Sequence, residues 1–86
     1  MEPAGEHLAV VERLIVAPAP GLFRPLPASA AVPDGGIVRA GEPVGLVEGH
    51  GTSARVCSAF TGSLMGMLVV EGERLKVGQA VAWLRT

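Results

Sequence analysis

The sequence predicts an all-β domain made of two copies of one strand pattern, and three observations carry the prediction. Twelve Gly and seven Pro in 86 residues recur every few positions, which leaves no stretch long enough for an amphipathic helix and favours short strands joined by turns. The 49% apolar content, with no Tyr, two Phe and one Trp, is mostly Val, Ala and Leu. Such a core is assembled from small and branched side chains that suit a pleated surface. The third observation is an internal repeat: GGIVRAGEPVGLVE (Gly35 to Glu48) lies over GERLKVGQAVAWLR (Gly72 to Arg85), and IVAPAPGLF lies over VCSAFTGSL at a slightly larger offset.

The repeat aligns Val38 with Leu75, Gly41 with Gly78, Val44 with Val81, and Leu46 and Val47 with Trp83 and Leu84. The earlier pair aligns Ile15 with Val56, Pro18 with Ala59 and Gly21 with Gly62. Neither half can bury its apolar face alone, so two copies imply sheets or half-barrels related by a pseudo-twofold axis.

Along the chain, residues 1–8 mix Glu, Pro, Gly and His without periodicity and are expected to fray as a flexible tail, with the domain running over 9–86. Pro18, Pro20, Pro25, Pro27 and Pro33 make residues 17–36 an edge-like strand at Leu22 to Arg24 and a protruding, polyproline-rich loop over about 24–36. Gly41 and Gly78 sit just before strands, where a turn with positive φ selects glycine. In VGLVEGHGTSARV, strands at Val44 to Glu48 and Ser53 to Ser58 flank Gly49, His50, Gly51 and Thr52, a hairpin whose tight turn is His50-Gly51. In LMGMLVV, alternation puts Met65, Met67 and Val69 on one face as core filling, with a Met-lined pocket as the other reading. Gly66 between the methionines marks a bulge.

A chain of this length holds one small domain, which excludes multidomain enzymes. Seven Lys/Arg against eight Asp/Glu, net −1, give no positive field to collect phosphates and argue against nucleic acid as a partner. The lone Cys57 cannot form an internal disulfide, and there is no Cys-x-x-Cys or His/Cys ligand set, so no metal site is expected and a reducing, cytoplasmic setting fits. Glu2 and Glu6 stand where a secretory signal carries basic residues, and the apolar runs fall far short of the roughly 18 residues that span a bilayer. Neither export nor a membrane is expected.

VAPAPGLF (Val16 to Phe23), GGIVRAGEPVGLVE and SAFTGSLMGMLVVEGERLKVGQAVAWL follow one another in an order and spacing that cover about Val10 to Leu84. Together they resemble the biotinyl/lipoyl domain family, and within it most the biotin carboxyl carrier proteins of bacterial acetyl-CoA carboxylases. The first piece is similar to the family's opening Pro-x-x-Gly-x-Phe strand. The second is similar to its Gly-x-x-Val-x-x-Gly-(Asp/Glu)-x-(Val/Leu)-x-x-(Val/Ile)-Glu segment. The resemblance implies a flattened barrel-sandwich hybrid of two four-stranded antiparallel sheets with pseudo-twofold symmetry, its termini opposite the His50-Gly51 hairpin. It also sets the loop between Gly21 and Gly35 where carboxylase carriers insert a protruding thumb, here a few residues shorter and with Asp34 as its acidic residue.

In that family a Met-Lys-Met turn at the hairpin tip carries biotin or lipoate on the lysine amine, because an exposed tip lets a long arm swing between active sites. Extending the alignment from Val47-Glu48 sets Gly49, His50, Gly51 and Thr52 on the Ala-Met-Lys-Met positions, so Gly51 stands where the modified lysine belongs. Glycine has no nucleophile, imidazole is not the acceptor used by the ligases, and no prosthetic cofactor is expected. Lys76, the only lysine in the chain, pairs in the repeat with Arg39 in a turn away from the tip and is not an expected attachment site.

Among chemistry-bearing residues, His50 is a solvated turn residue or, at an exposed tip, a group for proton transfer or metal ligation. Cys57 is a half-buried strand residue, or a nucleophile if Arg55 on its strand face or His50 lowers its pKa. Glu48, where the family also has Glu, is a docking or turn residue without an identified catalytic partner. Arg39, Arg55, Arg74 and Arg85 are spread among acidic residues as a mixed, solvated surface.

The leading expectation is a non-biotinylated carrier relative that works through protein contacts, as an accessory or regulatory subunit of an acyl-CoA carboxylase-type or biosynthetic assembly in fatty acid or polyketide synthesis. The alternative is a barrel repurposed as a small metabolite-binding protein or pathway enzyme, with an apolar pocket in the interior or on the face near the shortened loop and His50, Arg55, Cys57 and Glu48 as its candidate polar groups.

Overall fold

The computed structural model describes residues 11–86; the expected tail over 1–8 and the start of the domain at Ala9 lie outside the described residues. Among the described residues there is no helix, and eight strands carry the fold: β1 (Glu12–Val16), β2 (Gly21–Pro25), β3 (Ile37–Val38), β4 (Pro43–Gly49), β5 (Thr52–Cys57), β6 (Gly62–Met67), β7 (Arg74–Leu75) and β8 (Ala80–Arg85). They form two four-stranded antiparallel sheets, ordered β1-β8-β6-β3 and β5-β4-β2-β7. Exchanging β1–β4 with β5–β8 turns the first order into the second, so the repeat read from the sequence is a twofold of the topology. No helix among these residues is long and apolar enough to cross a membrane.

The backbone bonds obey the same exchange. Gly41 N donates to Ser58 O (2.7 Å) and Ser58 N to Glu42 O (2.9 Å), while Gly78 N donates to Ala17 O (2.8 Å) and Ala17 N to Gln79 O (2.9 Å). Arg39 N donates to the Glu42 carboxylate (2.8 Å) as Lys76 N donates to the Gln79 side-chain carbonyl (3.0 Å). Gly41 and Gly78 take φ of 91° and 83°, the left-handed conformation that the turn chemistry called for.

Between the sheets the buried side chains pair across the axis: Ile15 with Val56, Phe23 with Leu64, Val38 with Leu75, Val44 with Val81 and Val47 with Leu84. Each half supplies one apolar face, and burial of both is what holds the halves together. The two ends of the described chain meet in sheet β1-β8-β6-β3, where Glu12 faces Arg85. That place corresponds under the twofold to the hairpin end of the other sheet, where Ser53 faces Glu48.

Three expectations are corrected. Strand β2 is internal, flanked by β4 and β7. Its prolines precede the strand or close it at Pro25, so no ladder N–H is lost from its middle. The proline-rich loop is turned back on itself: Pro27 O accepts from Ala30 N (2.8 Å) and Ala31 N (3.0 Å), and Pro33 O from Gly36 N (2.9 Å). Such bonds do not exist in an extended polyproline helix, and they let Val32 pack against the core. Finally, Met65 and Met67 do not share a core face. A bulge shifts the register between Leu64 and Gly66, and a one-residue slip exchanges the faces of a strand. Leu64 is the buried residue at 2% exposure, while Met67 is 38% exposed and lines a cavity with Leu64 and Val69.

Candidate functional site at the hairpin tip

The β4–β5 ladder runs from Leu46↔Arg55 through Val47↔Ala54 and Glu48↔Ser53 to Gly49↔Thr52, leaving His50 and Gly51 as a two-residue turn. Gly51 has φ of 74°, and no non-glycine residue among those described has positive φ. The turn therefore takes its left-handed residue only at its second position. His50 and Gly51 are both exposed, and a Cβ on Gly51 would meet no atom within 4 Å. The tip is open, and backbone conformation rather than space restricts what can stand at position 51.

Behind the tip lies a groove of about 360 Å³ between the start of β2 and the end of β4, lined by Pro20, Leu22, Glu48, Gly49, His50 and Arg74. Leu22 forms its apolar floor, with Glu48 opposite on one neighbouring strand and Arg74 opposite on the other. Glu48 is held. Arg24 Nε donates to its Oε1 at 2.9 Å, and Arg24 Nη1 also reaches Glu71 Oε2 at 3.6 Å. The hydrogen bond to Glu48 and the attraction of that carboxylate, with a smaller contribution from Glu71, push the Arg24 pKa above its ordinary value. In the sequence Leu22 and Arg24 figure only as parts of an edge-like strand and Arg74 only as part of a mixed, solvated surface, although alternation in GLFRP already sets Leu22 and Arg24 on the face opposite Phe23.

The structure brings His50 and Glu48 to one groove and leaves Arg55 and Cys57 out of it. Arg55 is exposed opposite Leu46, and Cys57 is half-buried opposite Pro43 at the far end of β5. Five residues of strand separate Thr52 at the tip from Cys57, about 16 Å at the usual rise, so His50 is not beside the thiol. Among the described residues no group of three or more His, Cys, Asp or Glu is arranged to hold a metal. Lys76 is exposed in the β7–β8 turn, whose twin is the turn at Arg39.

A second cavity, of about 170 Å³, opens under the proline-rich loop. Phe23, Val44, Leu64 and Val69 form its walls, Leu26 and Val32 its roof, and Glu71 is its one charged residue. None of His50, Glu48, Arg55 or Cys57 lines it.

No protein-family model and no curated protein matches the chain. Among solved structures, the urea carboxylase of Kluyveromyces lactis is similar, with a TM-score of 0.70 and 28% identity over 86% of this chain and 6% of that one. Topology and likeness together support a biotinyl-domain-like relationship. The chain thus corresponds to a small part of a far longer carboxylase.

Proposed function

We propose that this chain is a carrier-like domain that carries no arm and acts through protein contacts, as a non-biotinylated accessory or regulatory subunit of an acyl-CoA carboxylase-type or biosynthetic assembly in the cytoplasm. The observation that carries the reading is the tip itself: a hairpin turn open to solvent with Gly51 where its resemblance calls for the acceptor lysine. The likeness to a stretch of a carboxylase supports the carrier-like half of the reading. The groove beside the tip supports the contact half, because it offers an apolar floor at Leu22 between Glu48 and Arg74. Mixed with a biotin carboxylase, the protein should co-elute on size exclusion while an avidin blot stays negative. Separate elution under every condition would count against it.

The cavity under the proline-rich loop favours a second reading, a small apolar metabolite-binding protein. Saturable thermal stabilisation by an apolar compound, abolished by filling the cavity with Val32→Trp, is its test.

A further inference from the structure

The twofold allows each outward position of one sheet to be compared with its twin in the other. Ile15/Val56 and Gly41/Gly78 set the correspondence, and it pairs two arginines with two aliphatic residues. In sheet β5-β4-β2-β7 the outward side chains include Arg55 and Arg74; at the same places in sheet β1-β8-β6-β3 stand Leu14 and Ile37, while the place of Arg24, opposite Leu46, is taken by Gly66 opposite Trp83, next to the bulged Met65. Leu46 is exchanged for the larger Trp83 and Cys57 for Val16. Leu14, Ile37 and Val16 are 54%, 50% and 44% exposed, and Leu68, at 49%, joins Leu14 and Trp83 around a shallow depression. The backbone does not demand apolar residues there, because its twin carries arginine at the equivalent positions. Leu14, Val16, Leu68 and Trp83 thus gather on the β1–β8 side of this face, while Ile37 stands beyond Ser63 and Arg85 at the β3 edge; an exposed apolar patch of this kind on a small domain marks a face that is covered.

We infer that the outer face of β1-β8-β6-β3 is the contact through which two copies of this chain associate, sheet on sheet about a twofold axis. Charge supports a second copy as the occupant. On the outer face Glu12 and Arg85 lie 3.5 Å apart, and Arg85 also covers the Trp83 ring at 5.5 Å; the third charged side chain of these strands, Arg13, alternates to the other side of β1 and lies over the Phe60 ring at 4.8 Å. A second copy brings the same neutral pair to the opposite end of an isologous contact and leaves no charge unmatched. The arginine-bearing face of the other sheet would repel its own copy. Shape supports it too, since a twisted sheet finds its matching twist in another sheet packed about 10 Å away. Three strands of five or six residues and the two-residue β3 make a face that buries at most about 1,000 Å² in total, near the lower limit for a specific interface and the size of a weak, reversible one.

Sedimentation equilibrium from low micromolar to millimolar concentration tests this directly. The mass is expected to rise from 8.8 kDa toward twice that value, with a matching blue shift of Trp83 emission. Leu14→Arg with Ile37→Arg gives each position the residue its twin already carries, so the fold is kept while the dissociation constant rises about a hundredfold or more. Arg55→Gln on the other sheet leaves dimerisation unchanged. A mass that stays at the monomer value throughout, or a dimer that survives Leu14→Arg with Ile37→Arg, overturns the inference. So does Trp83 burial seen only with a different protein bound. None of these outcomes bears on the carrier-like reading of the tip.

Discussion

The Phe23 ring fills the space in which a side chain at position 45 would stand. A Cβ on Gly45 would clash with Phe23 Cε1 and stand 2.7 Å from Cζ, and Phe23 itself is 2% exposed. The twins of Phe23 and Gly45 are Leu64 and Ala82, so the half with the larger ring has given up the methyl beside it. Gly45→Ala is expected to destabilise the domain by about 1–3 kcal/mol through overpacking. Adding Phe23→Leu should recover part of that loss, although Phe23→Leu alone is also destabilising. A thermal double-mutant cycle checks this, and strictly additive losses would contradict the shared-volume account.

Ser58 is the buried polar residue of the core, at 2% exposure. Its hydroxyl donates to Phe60 O (2.6 Å) and accepts from Phe60 N (3.0 Å), closing the β5–β6 turn. Ser58→Ala leaves both backbone groups without that partner and should cost about 1 kcal/mol, roughly 4–8 °C in Tm for a domain of this size. An unchanged Tm would mean that solvent replaces the hydroxyl.

The repeat made much of the fold legible. Pairs such as Val44/Val81 and Gly41/Gly78 carry burial and turn chemistry that survive any error in strand ends. The bulge at Met65 was not legible in its effect: Gly66 announced it, but which residues it sends inward depends on the partner β8 rather than on alternation. The prolines around β2 suggest an edge, but they stand before its ladder or at its close, so the strand is free to pair on both sides. At the candidate site, the His50-Gly51 turn could be read because glycine spacing fixes a hairpin. The Arg24–Glu48 pair is formed between strands 24 positions apart in sequence and needed the β2–β4 register.

Arg24 joins Glu48 to Glu71 across an exposed surface. Its raised pKa means that its contribution is fully present below the ordinary arginine value and is lost only as pH rises above it. Titration of Arg24 therefore adds no pH dependence to stability around neutrality. Arg24→Gln should lower Tm slightly at low ionic strength and leave it unchanged at about 1 M salt, where screening acts within about 3 Å. A loss that persists in high salt would show that packing, not charge, is what Arg24 supplies.

Position 51 is restricted by its φ of 74° and not by neighbours. Gly51→Ala is expected to cost about 1–2 kcal/mol and Gly51→Asn less, since asparagine tolerates the left-handed region. Equal losses for the two in thermal unfolding would place the restriction in sterics instead. Rebuilding the turn with His50→Met, Gly51→Lys and Thr52→Met should yield avidin-positive protein when a biotin ligase is co-expressed, with Lys76 still unmodified in the same peptide map.

The intact mass of the protein purified from its native host reads the central proposal most directly. The predicted result is the bare polypeptide. Biotin or lipoate found attached, at Lys76 or anywhere else, would contradict a carrier-like scaffold that has given up its arm.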